Sequence, residues 1–158
     1  MGLERLRTFL AAHRRIALDT SIFVYQVEAN VRYLPLTEQI FLWLERPASR
    51  AITSTITMTE VLVQPYCALD EYRVNQFLAL LSTIPNLDWI APSLAIADRA
   101  AHIRARHRLR TPDALQAATA LYGSATGLIT NDRIFERVEG FETLVLDRLL
   151  GQASSPVH

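Results

Sequence analysis

The chain has 158 residues and a mass of 17.8 kDa, enough for one domain with a substantial core. Half the residues are hydrophobic, a fifth are charged and the formal net charge is zero, so overall basicity offers no argument for nucleic acid, and the balance is that of an ordinary globular protein. No apolar run approaches the roughly 18 residues of a membrane-spanning helix, which predicts no membrane association.

The stretch Met1 to Arg15 has neither a continuous apolar core nor a small-residue cleavage site, which argues against a secretory signal. Cys67 is the single cysteine; it excludes an internal disulfide and a cysteine-rich zinc site, and fits a cytoplasmic location. All 16 basic residues are Arg. A GC-rich genome explains that bias most simply, while Arg also suits bidentate phosphate contact better than Lys.

In chain order, residues 1–14 carry Leu3, Leu6, Phe9 and Leu10 at helical spacing and read as an amphipathic lead-in helix. Residues 15–150 read as the main domain and residues 151–158 as a disordered tail. A first strand is predicted at about Ile16–Asp19, followed by a helix through Ile22–Val27. A second helix runs from about Leu36 to Glu45, after Pro35 and before Pro47. Leu36, Ile40, Trp43 and Leu44 form its core stripe. Phe41 and Leu42 fall partly off that stripe; a deep core pair explains this, and so does an apolar surface offered to a partner.

Ala51-Ile52-Thr53 predicts a second strand, and Pro65 is expected to stop the helix that follows it. Another helix spans Asp70 to Ser82. A third strand lies at Asp88–Ala91, and Pro92 opens a helix to about His107. Thr111-Pro112-Asp113 opens an alanine-rich helix that Gly123 ends. Leu128–Thr130 and Glu142–Leu146 are the fourth and fifth strands. Short strands alternating with helices predict a three-layer α/β/α fold around a mainly parallel sheet of about five short strands.

In such a sheet ligands sit outside the carboxyl ends of the strands. Asp19 and Asp132 each end or follow a strand, Asp113 opens a helix, and Glu60 lies about two turns past the second strand. Each acid also has a structural reading. Asp19 and Asp132 suit helix N-caps, Glu60 fits a capping box with Thr57, and Asp113 suits the positive end of a helix dipole. Gathered on one edge, however, the four would repel. A like-charge pair at 4 Å costs about 1 kcal/mol in water and about 4 kcal/mol at an effective dielectric near 20. Such a set needs protonation or a cation, and oxygen-only ligands favour Mg²⁺ or Mn²⁺. A metal there activates water and stabilises charge at a phosphodiester. Thr20, Ser21, Thr130 and Asn131 are then candidate supporting donors.

The pieces Leu18-Asp19-Thr20-Ser21, Thr59-Glu60-Val61, Thr111–Ala120 and Ile129-Thr130-Asn131-Asp132 make the chain resemble the PIN-domain family, in particular the VapC-like toxins of bacterial toxin–antitoxin pairs. The resemblance covers roughly residues 15 to 147. It implies a PIN-like fold and a Mg²⁺- or Mn²⁺-dependent endoribonuclease acting on RNA, with Asp19, Glu60, Asp113 and Asp132 as catalytic metal ligands and Thr130 in support. It also implies a homodimer held inactive by a VapB-like antitoxin in an apolar groove, to which Phe23, Tyr25, Phe41 and Trp43 are assigned. The alternative is a catalytically silent PIN-like module that binds RNA or protein.

Arg104, Arg106, Arg108 and Arg110 crowd the approach to Asp113. They read as a solvated helix end or as an RNA-backbone rim. Tyr25, Tyr33 and Trp43 suit core packing better than base stacking. No serine elbow, P-loop or zinc spacing is present.

Overall fold

The structure, a computed structural model, describes residues 1–151; from residue 152 onward the predicted tail lies outside the described residues. Seven α-helices and five strands follow in the order α1 Gly2–Ala12, β1 Arg15–Leu18, α2 Thr20–Val27, α3 Leu34–Leu44, β2 Arg50–Ser54, α4 Ile56–Cys67, α5 Glu71–Thr83, β3 Leu87–Ile90, α6 Leu94–His107, α7 Thr111–Tyr122, β4 Gly127–Thr130 and β5 Glu142–Val145. Two short 3-10 turns, Arg133–Arg137 and Leu146–Leu149, flank β5.

The sheet order is β3-β2-β1-β4-β5 and every pairing is parallel. The chain works outward from β1 to β3, then crosses back to place β4 on the other side of β1. The reversal therefore falls between β1 and β4, where Leu18 lies beside Ile129. Open parallel sheets present their ligand crevice at such a switch point.

Alternation along the strands sorts the core into two layers. Ile16, Leu18, Ala51 and Ile129 face one cluster, which takes Leu6, Phe9, Ile22, Phe23, Leu36, Leu44 and Phe77 from α1 to α5. Ala17, Ile52 and Leu128 face the other, built with Ile96, Ala114, Ala117, Ala118 and Phe135. Burying each large side chain contributes about 1.5–3 kcal/mol, and the alanines of α7 let that helix lie close against the strands. The helix α1 belongs to the first cluster through Leu6, Phe9 and Leu10. Its contact is tight enough that a Cβ on Gly127 would stand 2.7 Å from the Phe9 ring.

Several boundaries differ from the sequence reading. Pro65 lies inside α4, which continues to Cys67; near a helix end a proline forfeits one hydrogen bond, and Pro65 is buried against its neighbours. Pro92 precedes α6 instead of opening it, because Ser93 is the cap and its Oγ accepts from the Ile96 amide at 3.2 Å. The α7 cap position is Arg110, with Thr111, Pro112 and Asp113 in the first turn. Phe23 and Trp43, assigned to an apolar groove, are core residues, and Phe23 packs edge-on to Phe41 and near-parallel to Trp89. Tyr33 is buried too and stacks on Tyr25 at 4.1 Å.

Candidate functional site

The β1 ladder delivers Asp19 to the switch point. Its amide donates to the Ile129 carbonyl at 3.0 Å, which extends the β1–β4 pairing by one residue. Asp19 occupies the α2 cap position in extended conformation, yet its carboxylate makes no capping hydrogen bond. Instead Oδ2 accepts from the Thr130 hydroxyl at 2.8 Å. The same Thr130 oxygen accepts from the Asp132 amide at 3.0 Å, so one fully buried side chain ties the acid after β1 to the acid after β4.

Asp132 does serve as a cap: its Oδ1 accepts from the Ile134 amide at 2.9 Å at the start of the Arg133–Arg137 turn. Glu60 does not close a capping box, because α4 starts at Ile56 and Thr57 lies within it. Its Oε1 accepts from the Thr20 hydroxyl at 2.8 Å. Asp113, in the first turn of α7, is paired with Arg110 at 3.4 Å. Each of the four carboxylates thus has a protein partner: a threonine hydroxyl for Asp19 and for Glu60, a backbone amide for Asp132 and a guanidinium for Asp113.

Electrostatics link the four. Burial pushes Asp19 up to about 6, against the pull of the Thr130 hydroxyl and the Thr20 amide, and the negative charges of Glu60 and Asp113 push it the same way. Burial also raises Asp113; Arg110 opposes the shift, while Asp132 and Glu60 add to it. Four elements therefore bring their acids within reach of one another's charge.

Among the described residues, no group of three or more His, Cys, Asp and Glu side chains stands close enough to hold a metal ion. The acids are near enough to repel and are turned onto separate partners. The donor set suits a hard divalent cation, since all four are carboxylates and the two with raised values are those a cation would relieve. The Ser21 hydroxyl, two residues after Asp19, is the one side-chain polar atom among the described residues that is buried without a partner.

The other predicted residues divide. Thr20 and Thr130 touch the acids directly. Asn131 is spent on structure: its amide donates to the Tyr25 hydroxyl at 2.9 Å and its Oδ1 accepts from the Asp147 amide at 2.8 Å. Of the four arginines only Arg110 reaches an acid of the site. Arg104 folds onto the Leu109 carbonyl at 3.1 Å, Arg106 lies 3.9 Å from Glu139, and Arg108 is the left-handed residue that ends α6.

Three residues beneath the acids escaped the sequence reading: Thr53, Thr57 and Gln116, all buried and joined by hydrogen bonds. Their one available signal was Gln116 itself, a polar residue one turn after Asp113 in an otherwise alanine-rich helix, on the same face.

The chain belongs to the PIN domain family, whose model matches residues 16–140. No curated protein matches it. Among solved structures it is similar to a toxin–antitoxin complex from Klebsiella pneumoniae, at 25% identity and a TM-score of 0.62, over 83% of this chain and 97% of that one. It is similar in fold to VapBC2 from Rickettsia felis bound to a fragment of promoter DNA, at 18% identity and 0.64, over 83% and 98%. The DNA-bound VapBC from Salmonella typhimurium matches at 21% and 0.60, over 84% and 98%. Among the described residues no helix is long and apolar enough to cross a membrane.

Proposed function

We propose that this chain is the toxin of a toxin–antitoxin pair: a Mg²⁺- or Mn²⁺-dependent endoribonuclease whose metal would be held by Asp19, Glu60, Asp113 and Asp132. The observation that carries the reading is that one buried Thr130 hydroxyl joins Asp19 and Asp132 at the β1/β4 switch point, with Glu60 and Asp113 near enough for their charges to raise Asp19. When bound, a divalent ion supplies an activated water and charge stabilisation at the scissile phosphate. The residues' own work is positioning. Thr130 fixes the Asp19 carboxylate and holds the Asp132 backbone through one oxygen. Thr20 holds Glu60. Arg110 is exposed at the rim, where it offers a phosphate a cation at the cost of releasing Asp113.

On this reading residues 15–150 are the nuclease domain and α1 its docked lead-in, and the protein works in the cytoplasm. The toxin–antitoxin and VapBC similarities support an antitoxin partner, and a homodimer belongs to the same proposal. The exposed apolar side chains available to such partners include Leu42 on α3 and Val63, Tyr66, Leu69 and Tyr72 around the α4–α5 turn, but not the buried Phe23 and Trp43. Incubating the protein with total RNA and matched DNA, with Mn²⁺, with EDTA and as Asp19→Asn, tests the proposal. Cleavage of RNA that both EDTA and Asp19→Asn abolish is expected. RNA binding without cutting under any metal condition would replace it with the silent binding module.

A further inference from the structure

The hydrogen bonds beneath the acids have a forced direction. A threonine hydroxyl carries one proton. Thr53 uses its proton on the Leu18 carbonyl at 2.9 Å, so in the 2.8 Å Thr53–Thr57 contact Thr57 is the donor. With its proton spent, Thr57 accepts from the Gln116 amide at 2.7 Å. Thr20 spends its proton on the Glu60 carboxylate at 2.8 Å and accepts from the same Gln116 amide at 3.4 Å. Gln116 is 4% exposed. Its side-chain NH₂ therefore heads two one-way chains. One runs through Thr57 and Thr53 to the backbone carbonyl just before Asp19, and the other runs through Thr20 to Glu60.

We infer that Gln116 is a positioning residue: its amide sets the proton order of a relay that aims Glu60 and fixes the end of β1 at Asp19, and so tunes how the site takes a divalent cation. The inference rests on the metal-site reading above for its consequence, though not for its geometry. Without an NH₂ at this point, Thr20 and Thr57 each lack the donor that fills their second position. Thr20 then keeps its proton on Glu60 but loses the contact that fixes its rotamer, and Glu60 is held less firmly. Outer partners of metal ligands commonly affect metal affinity 10–100-fold.

The variants Gln116→Met and Thr20→Val, singly and together, test this on the full chain. Two readouts are used: metal-free melting, and Mn²⁺ affinity by titration calorimetry. Each single change is expected to weaken Mn²⁺ binding about 10-fold. The double variant is expected to be no worse than the poorer single, in both affinity and melting, because both changes cut the same chain. Additive melting effects overturn the relay whatever the metal data show. Wild-type Mn²⁺ affinity in a Gln116→Met protein that merely melts lower overturns its role at the site. Wild-type protein that neither binds Mn²⁺ nor cuts RNA refutes the nuclease reading instead, and the melting cycle alone then judges the relay. If Gln116→Met does not fold, Thr20→Val is expected to reproduce the loss of affinity, and its failure to do so counts against the inference.

Discussion

Replacing Asp19 by Asn separates a carboxylate kept for chemistry from one kept for structure. Folding raises this group from 3.8 to about 6, chiefly by burial. A raised acid stabilises the folded state only while protonated. That contribution is whole below about pH 4, fades as pH rises to about 6, and is gone above it. Two units correspond to about 3 kcal/mol, an upper bound because Asn must also keep the Thr130 contact. Asn can accept that bond through its Oδ1 and carries no charge, so Asp19→Asn is expected to stabilise the metal-free protein at pH 7.5 by about 1–3 kcal/mol. For a chain of this size that is about 3–10 °C in melting temperature. The gain should vanish near pH 4, and Mn²⁺ should raise the melting temperature of the wild type but not of the variant. Differential scanning calorimetry at the two pH values, with and without EDTA, reads all of this. A variant that melts lower than wild type at pH 7.5 refutes the reasoning, because it would make the Asp19 carboxylate a net structural asset, like the cap at Asp132.

Thr130→Val removes a buried hydroxyl that serves both acids. A loss of about 1.5–3 kcal/mol is expected for a bond to a charged group, and the acid limb of the cleavage–pH profile should move to higher pH because Thr130 now holds Asp19 down; an unmoved limb would exclude Asp19 as the titrating group. Arg110→Ala should leave the melting temperature nearly unchanged while tightening Mn²⁺ binding, since Asp113 loses its competing cation. The slope of RNA affinity against salt should fall by about 0.7; an unchanged slope means Arg110 meets no phosphate. Leu6→Ala, in the fully buried stripe of α1, should cost about 2–5 kcal/mol by chemical denaturation, whereas a cost under about 0.5 kcal/mol would make α1 a dispensable appendage.

The strands were legible because they rest on local signals: short apolar runs bounded by polar residues, with a carboxylate at or just past the end of the first and the fourth. The choice between capping and site duty was not. Asp19 and Asp132 look alike in sequence, and only the Thr130 hydroxyl, brought across by β1–β4 pairing, turns one away from its helix while the other caps a turn. The surplus apolar face of α2 and α3, open to two readings, divides: Phe23 and Trp43 are buried, while Leu42 is exposed. A helix wedged between a sheet and further helices is apolar on two sides, and sequence does not tell a second covering layer, here α1 and α5, from an absent partner. Gln116 stayed hidden because a lone glutamine in an alanine-rich helix has the pattern of a solvent-facing residue. The approach of α4 to α7 decides otherwise.

Four acids that repel one another are each steadied by a neutral donor or a cation. Here those are a threonine from β4, a threonine from α2, an arginine at the helix start and a backbone amide. Each such bond contributes about 0.5–3 kcal/mol, little enough for a divalent ion with several carboxylate ligands to displace. None of these bonds need break, because each uses one carboxylate oxygen and leaves the second to give. A divalent ion held by Asp113 would compete with Arg110 for the charge of that carboxylate, which would leave the exposed guanidinium freer to meet a phosphate. Arg110→Lys then gives a sharp test: the lysine keeps the charge but loses the planar fork, so it should hold Mn²⁺ affinity near the wild-type value while weakening RNA binding, and equal losses in both would show that the two events are unlinked.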